Sequence, residues 1–303
     1  MIEFIKKPNI DFMGKRPFAF AFSGLLVALG IFSLIQVARG AANLGIDFAG
    51  GTSVQIKFKE TVPLQNIRSA LERSGLKDFD LQDLPTENKI LIRVKKKEET
   101  LGGFSEKIVS TLKEDFAAQK PVVDSTTEIG PKVGDKLRKD ALFAIVAATI
   151  GILIYVAFRF QFRFAVGATT ATFHDVLAVF GIFYLLGKEV NLILVSALLM
   201  IAGYSLTDTV VVFDRIRENL RSRYRENINK VINLSINEVL SRTVIVSFTT
   251  LLAALALFIF GGEVIHDFSL AIILGIIIGT YSSIFVASPV VLLWKSKKLL
   301  GKR

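Results

Sequence analysis

Residues 191–219 read NLILVSALLMIAGYSLTDTVVVFDRIREN. Up to Phe213 the run is apolar and long enough for a helix to cross a bilayer, which takes about 17–25 residues, yet Asp208 stands inside it. A carboxylate near the bilayer centre costs about 2.5–3.5 kcal/mol and is kept where it is paired, hydrated or used. This stretch therefore sets the bilayer as the solvent of the helix and marks its one intramembrane charge as a candidate for function.

Working outward, further runs of spanning length lie at 17–37, 140–158, 165–186, 244–261 and 268–293, making six with 191–214. The composition agrees, since 51% of the 303 residues are hydrophobic, more than one soluble core uses. The first run follows Lys6, Lys7, Lys15 and Arg16 and ends near Ala38-Arg39-Gly40, so it could be mistaken for a secretory signal. Its apolar stretch exceeds the roughly 7–15 residues of a signal h-region, and we read it as a retained helix.

Lysine and arginine orient the spans. They gather in residues 1–16, at Arg159 and Arg163, in 215–242 and in the tail 295–303, all on one side of a six-span arrangement. The opposite short loops offer Lys188, and otherwise Glu189, Glu263, His266 and Asp267. The positive-inside rule then puts both termini and the 215–242 loop in the cytoplasm. The net charge of +10 is explained by this topology; the basic residues flank apolar runs rather than alternating with aromatics, so nucleic acid is not the expected partner. The absence of cysteine excludes disulfides, thiolate nucleophiles and zinc–sulfur centres.

Residues 38–139 form one insert on the far side, between the first and second spans, and are a different kind of sequence. Val54, Ile56 and Phe58 alternate as in a strand, Leu64, Ile67, Ala70 and Leu71 repeat as in a helix, and Phe79–Leu84 and Ile90–Val94 read as two more strands. A second helix through Phe104, Ile108, Leu112 and Phe116 and a last strand near Pro121–Ile129 complete βαββαβ, the ferredoxin-like order. The domain plan is thus an N-terminal segment 1–16, a first span 17–37, a periplasmic α+β domain 38–139, helices two to six over 140–294, and a basic tail 295–303. Within 215–242, Ile216, Leu220, Tyr224, Ile228 and Ile232 recur every fourth residue with arginines between them. That spacing predicts an amphipathic helix along the membrane surface, or a solvated charged helix.

Enzyme signatures are missing: there is no Walker loop, dinucleotide fingerprint, HExxH or GxSxG. Gly45-Ile46-Asp47-Phe48-Ala49-Gly50-Gly51 is glycine-rich, but it sits between a span and a strand and is expected to open no helix. It therefore reads as a turn, with Gly45, Asp47, Gly50 and Gly51 as its structural residues, rather than as a phosphate cradle. Gly130-Pro131-Lys132-Val133-Gly134, with Gly130 and Gly134, is the matching exit and reads equally as a hinge or a plain turn.

The ionisable residues inside the spans remain. Asp208 lies about 9 Å from the cytoplasmic end of its helix at 1.5 Å per residue, among small and hydroxyl residues that permit close helix contact. Arg242, in Ser241-Arg242-Thr243, opens the next span on the same side, so the two can meet at similar depth. An arginine favours the charged carboxylate and burial favours the neutral one, so joining and separating the pair would move a proton; the alternative is a static salt bridge. His174 and Asp175 lie mid-span and read as a relay or as a structural polar pair. Adjacent on a helix, they point about 100° apart.

Taken together, Leu44–Phe48 with Gly50-Gly51, the Val133 exit, His174-Asp175, Gly203 to Asn219, Ser241-Arg242-Thr243 and Phe260-Gly261-Gly262 resemble the SecF side of the SecD/SecF family, in order and over essentially the whole chain. The resemblance implies six transmembrane helices of the resistance-nodulation-division (RND) exporter type, with a ferredoxin-like domain between helices 1 and 2. It also implies a non-enzymatic subunit of the Sec protein translocase in the bacterial inner membrane that pairs with SecD, works at the SecYEG channel on unfolded preprotein, and uses the proton motive force, with protons as coupling ion and no cofactor or metal. On that resemblance Asp208 and Arg242 match the family's proton-pathway carboxylate and arginine. Thr207 stands where asparagine is common, Gln161 where glutamate is common, and Val246 and Phe248 where smaller or polar residues are common, which bears on how wet the pathway is. Two other classes remain: an RND-like exporter of small molecules or lipids, against which the chain length argues, and a passive translocon scaffold.

Overall fold

The computed structural model describes residues 8–41, 43–76, 79–84, 88–95 and 103–292. Lys6, Lys7 and the basic tail at 295–303 lie outside the described residues. In chain order, helix α1 (Arg16–Ala38) is followed by a single turn α2 (Ile46–Ala49), β1 (Gly51–Lys57), α3 (Leu64–Arg73), β2 (Phe79–Leu84), β3 (Lys89–Lys95), α4 (Phe104–Asp115) and β4 (Val122–Ile129). Then come α5 (Pro131–Arg159), α6 (Phe162–Leu185), α7 (Leu192–Ser222), α8 (Ile228–Phe260) and α9 (Gly262–Ser282), which passes through a π-helical segment Ser283–Ala287 into α10 (Ser288–Leu292). Among the described residues six helices are long and apolar enough to cross a membrane, the last being Ile265–Leu292. Contacts divide the chain into two units, Leu44–Phe143 with Glu189–Leu192 in one and the rest in the other.

In the first unit the strands form one sheet of order β2-β3-β1-β4, every neighbouring pair antiparallel, which is the ferredoxin-like arrangement of βαββαβ. Period-two alternation puts Val54 and Ile56 of β1 opposite Ile92 and Ile90 of β3. All four are buried with Ile67 and Leu71 of α3 and Ile108 and Leu112 of α4. Strand β4 pairs along β1 but exposes nearly every residue on both faces, in keeping with its polar run Asp124–Glu128.

Two expectations are corrected here. The Gly45–Gly51 stretch does form helix: Gly45 caps α2, and only then do Gly50 (φ +73°) and Gly51 (φ +147°) turn the chain into β1. The 215–242 segment is not one surface helix. α7 continues to Ser222, the chain turns over 223–227, and the Asn227 side chain caps α8 by accepting the Asn229 N–H. The four-residue spacing survives the break, so Ile216 and Ile232 arrive in one buried core from two helices, while Tyr224 sits exposed in the turn. α5 also begins at Pro131 rather than at 140, with proline in the first turn where its missing N–H costs nothing.

In the membrane unit α6 packs against both α1 and α9, and glycine allows these crossings. A Cβ built on Gly30 of α1 would stand 2.3 Å from the Leu177 carbonyl oxygen, and one on Gly181 of α6 would stand 2.8 Å from the Gly30 nitrogen. On α9, a Cβ at Gly275 would meet Ile201 at 2.3 Å. Small residues of this kind let backbones approach where apolar burial alone gives no preference between lipid and protein.

The N-terminal segment is also tied down. Asn237 of α8 accepts the Ile10 N–H and donates to the Ile10 carbonyl, both at 2.9 Å. Asn233 accepts the Met13 N–H at 2.9 Å and donates to Asp11 at 2.6 Å. The Gly14 N–H and the Asn233 amide hold the Asp11 carboxyl below the usual carboxylate range. A depressed folded value means that its stabilising contribution is present above the unfolded value near 4 and is lost as pH falls through the lower folded one. Hydrogen exchange at the Gly14 amide, normalised to its intrinsic rate, should therefore lose protection below about pH 4, and Asp11→Asn should remove that pH dependence; a pH-independent wild type would refute it.

Candidate functional site: a buried carboxylate and hydroxyl network

Helical spacing places Ser205, Asp208 and Thr209 on one stripe of α7, and this stripe faces the serines of the last span. Ser283 Oγ donates to Asp208 Oδ2 at 2.6 Å. Its neighbour Ser282 Oγ donates to Asp175 Oδ2 on α6 at 2.7 Å, and Ser205 of α7 donates to the same oxygen. Asp175 is fully buried and His174 is 3% exposed. Asp208 is half-buried; Thr243 of α8 lies beside it, its buried hydroxyl outside hydrogen-bonding geometry.

His174 and Asp175 diverge as adjacent helical residues must, yet the imidazole folds back so that Nδ1 lies 2.8 Å from Asp175 Oδ1. With Asp175 ionised, Nδ1 carries the proton and Nε2 is left an acceptor. Nε2 is buried with no partner among the described residues. His174 also lines an apolar cavity of about 450 Å³ among α1, α5, α6 and the last span, with Phe20, Val27, Phe173 and Leu177.

Arg242 is placed differently from the sequence expectation. Among the described residues no hydrogen bond or ion pair joins it to Asp208; it is exposed and lines a groove with Asp214, Arg215, Arg217, Glu218 and Arg221. The structure thus brings Asp208 together with the last span, and through it with Asp175, rather than with Arg242. From sequence, Ser205 and Thr243 stand only as small or hydroxyl neighbours of Asp208 and Arg242, and Ser282 and Ser283 were passed over. The signal for the last two was present, since Thr280-Tyr281-Ser282-Ser283 is four hydroxyls in a row within an otherwise apolar span.

The glycine motifs lie in the sheet unit. Asp47 Oδ2 accepts the N–H of Leu192 at 3.0 Å, one of the orphan donors of a helix start. Gly45 donates to the Val190 carbonyl at 3.0 Å. A Cβ on Gly134 would lie 3.0 Å from the Gly50 nitrogen and 3.2 Å from the Phe48 carbonyl oxygen, so the exit packs directly on the entry. Gly130 has open space around it.

A family model described as protein export membrane protein SecD/SecF, C-terminal, matches residues 108–297, and the SecD/SecF GG motif matches residues 42–62. The chain belongs to the SecD/SecF family. It is 59% identical over 304 aligned residues to the protein translocase subunit SecF of Thermodesulfovibrio yellowstonii, covering 100% of both chains. It is 44% identical to the corresponding subunit of Calditerrivibrio nitroreducens over 97% of each. Among solved structures it resembles SecDF from Thermus, a translocon-associated membrane protein, with TM-score 0.84 and 38% identity over 95% of this chain and 39% of that one. The chain thus has the length of its SecF relatives and spans about two-fifths of SecDF. As a member of this family with six apolar spans, it is a multi-pass membrane protein with an α+β domain between its first two spans.

Proposed function

We propose that this chain is the SecF-type subunit of a protein translocase, pairs with SecD, and uses the proton motive force to promote preprotein translocation at SecYEG across the bacterial inner membrane, both termini being cytoplasmic. The observation that carries the coupling is the pair of intramembrane carboxylates, Asp208 and Asp175, held among hydroxyls from α7 and the last span. Intramembrane acids of this kind serve as proton relays in pumps and transporters. His174 adds a nitrogen that accepts a proton beside Asp175, and Arg242 supplies the cation of the pathway at the groove. Lys15, Arg16, Arg159, Arg163 and the arginines of the 223–227 turn support the proposed orientation. The SecD pairing is supported by the length of SecDF, which holds more than this chain in one polypeptide.

The test is export of a reporter preprotein into inverted vesicles, with and without a proton gradient, from membranes holding or lacking this chain. The gradient should accelerate export only where the chain is present. An acceleration of equal size in both membranes would leave the chain as a scaffold.

A further inference from the structure

Ser282 and Ser283 each have two acceptors within reach. Ser282 Oγ lies 2.7 Å from Asp175 Oδ2 and 3.1 Å from the carbonyl of Gly279. Ser283 Oγ lies 2.6 Å from Asp208 Oδ2 and 3.0 Å from the carbonyl of Thr280. A hydroxyl has one proton to give, and an ionised carboxylate is the stronger acceptor, so charged carboxylates draw both protons toward themselves. A carboxyl group that has taken a proton becomes a donor. The serine then turns its own proton to the backbone carbonyl and accepts the carboxyl O–H, so each carboxyl keeps its serine partner in both states.

We propose that Ser282 and Ser283 form a hydroxyl switch that couples the charge on Asp175 to the charge on Asp208, so that the state of one carboxylate sets how readily the other takes up a proton. The proposal rests on the proton-coupled reading above. No bond within either serine breaks; the proton on the carboxyl arrives from outside the pair and leaves again, and only the direction of the serine hydrogen bonds reverses. The two serines are consecutive, and the carbonyls they turn to belong to the consecutive residues Gly279 and Thr280, so both hydroxyls turn within one stretch of the last span. They also sit where α9 passes into the π-helical segment, whose Ser283 carbonyl is taken by Ser288 Oγ at 2.9 Å. Segments of this kind occur often at functional sites, and hydroxyl bonding back to a helix carbonyl bends the helix.

Ser205 makes a second link, reaching Asp175 from a position three residues before Asp208 on α7. The close approach depends on Gly279, where a Cβ would stand 3.3 Å from the Ser205 Cβ. Among the described residues His174 on α6 is the ionisable group bonded to the pair; Tyr281 on α9 has its ring 6.2 Å from that of His174, and its hydroxyl donates to the Ala19 carbonyl. α8 presents Thr243, while Arg242 lies in the exposed groove.

Infrared difference spectroscopy between acid and alkaline pH, on the full chain reconstituted with its partner chain in liposomes, tests the switch. Two protonated-carboxyl signals are expected, with midpoints separated because the groups interact. Asp175→Asn should remove one signal and leave a single midpoint. S282A should move the frequency of the Asp175 signal alone and S283A that of the Asp208 signal alone, and the double serine variant should narrow the separation of midpoints by at least half. An Asp175 that takes up no proton where Asp208 titrates, or a separation unchanged in the double serine variant, overturns the proposal. Should Asp175→Asn fail to assemble, the serine variants, each missing one oxygen, still decide. Coupled midpoints with an export reaction indifferent to Asp208 would keep the switch and remove its role in export; uncoupled midpoints with export still lost in Asp208→Asn would remove the switch alone.

Discussion

Asp208→Asn is expected to leave the chain assembled with its partner and to remove the gradient-dependent part of preprotein export. Asparagine keeps the size of the side chain, and its amide oxygen still accepts the Ser283 hydroxyl that reaches Asp208 at 2.6 Å. What it loses is the charged state. A proton moving down the electrical potential gains about 2.3 kcal/mol per 100 mV, which at about 1.4 kcal/mol per tenfold is a factor of about 40 in an equilibrium. A side chain fixed in the neutral form cannot draw on that difference. Inverted vesicles carrying the variant should export at the ungradiented wild-type rate, with ATP-driven insertion intact, whether or not a gradient is applied. Arg242→Met belongs beside it: the same loss would show that the arginine meets Asp208 during the cycle, and a wild-type response would confine Arg242 to its exposed groove. If Asp208→Asn vesicles respond to the gradient as wild type does, Asp208 is not the coupling residue, and Asp175 with His174 takes its place.

The six spans and the βαββαβ order were readable because both are written in periodicity, long apolar runs in one case and alternation against helical repeats in the other. Val54 and Ile56 announce a strand whatever they pack against. The 215–242 segment was misread for the same reason that the rest was read well. Ile216 and Ile232 keep a helical spacing across a turn that breaks the helix, and the exposed Tyr224 falls in step by coincidence of number. Asn227, an ordinary capping residue directly before Ile228, was the mark of the break. At the site, Asp208 and Asp175 stood out because charge is rare in lipid. Their partners did not, because a serine in a membrane helix is common and its importance depends on which helix lies opposite. Pairing Asp208 with Arg242 followed from similar depth, but depth leaves the rotation of each helix open. In the structure Arg242 faces the groove and its neighbour Thr243 takes the place beside Asp208. The asparagine clasp on residues 10–13 joins positions more than 200 apart in sequence, a distance over which one chain's pattern carries no signal.

The α+β unit should fold without the membrane, and its centre should be Ile92. Among the described residues every buried member of its core lies between Val54 and Phe116. The contacts that a fragment of residues 40–135 would forgo include Arg93 to Glu189 at 2.7 Å, Asp47 to the Leu192 N–H at 3.0 Å and the Gly45 N–H to the Val190 carbonyl at 3.0 Å, all polar links outside that core. Ile92 has no exposed surface and pairs across the sheet with Val54 and Leu81. Truncation to alanine removes three carbons and leaves a space the neighbours fill only in part, a change that costs about 2–5 kcal/mol against a total of about 5–15 kcal/mol for a domain. With a urea dependence of about 1–3 kcal/mol per molar, the unfolding midpoint of the fragment followed by circular dichroism should fall by about 1 M or more in Ile92→Ala. Thr126→Ala, on the exposed β4, should stay within about 0.5 kcal/mol of the parent. A fragment with a random-coil spectrum would overturn the claim that this unit folds alone, and equal losses in the two variants would mean that its core does not lie between the β3 face and the two helices.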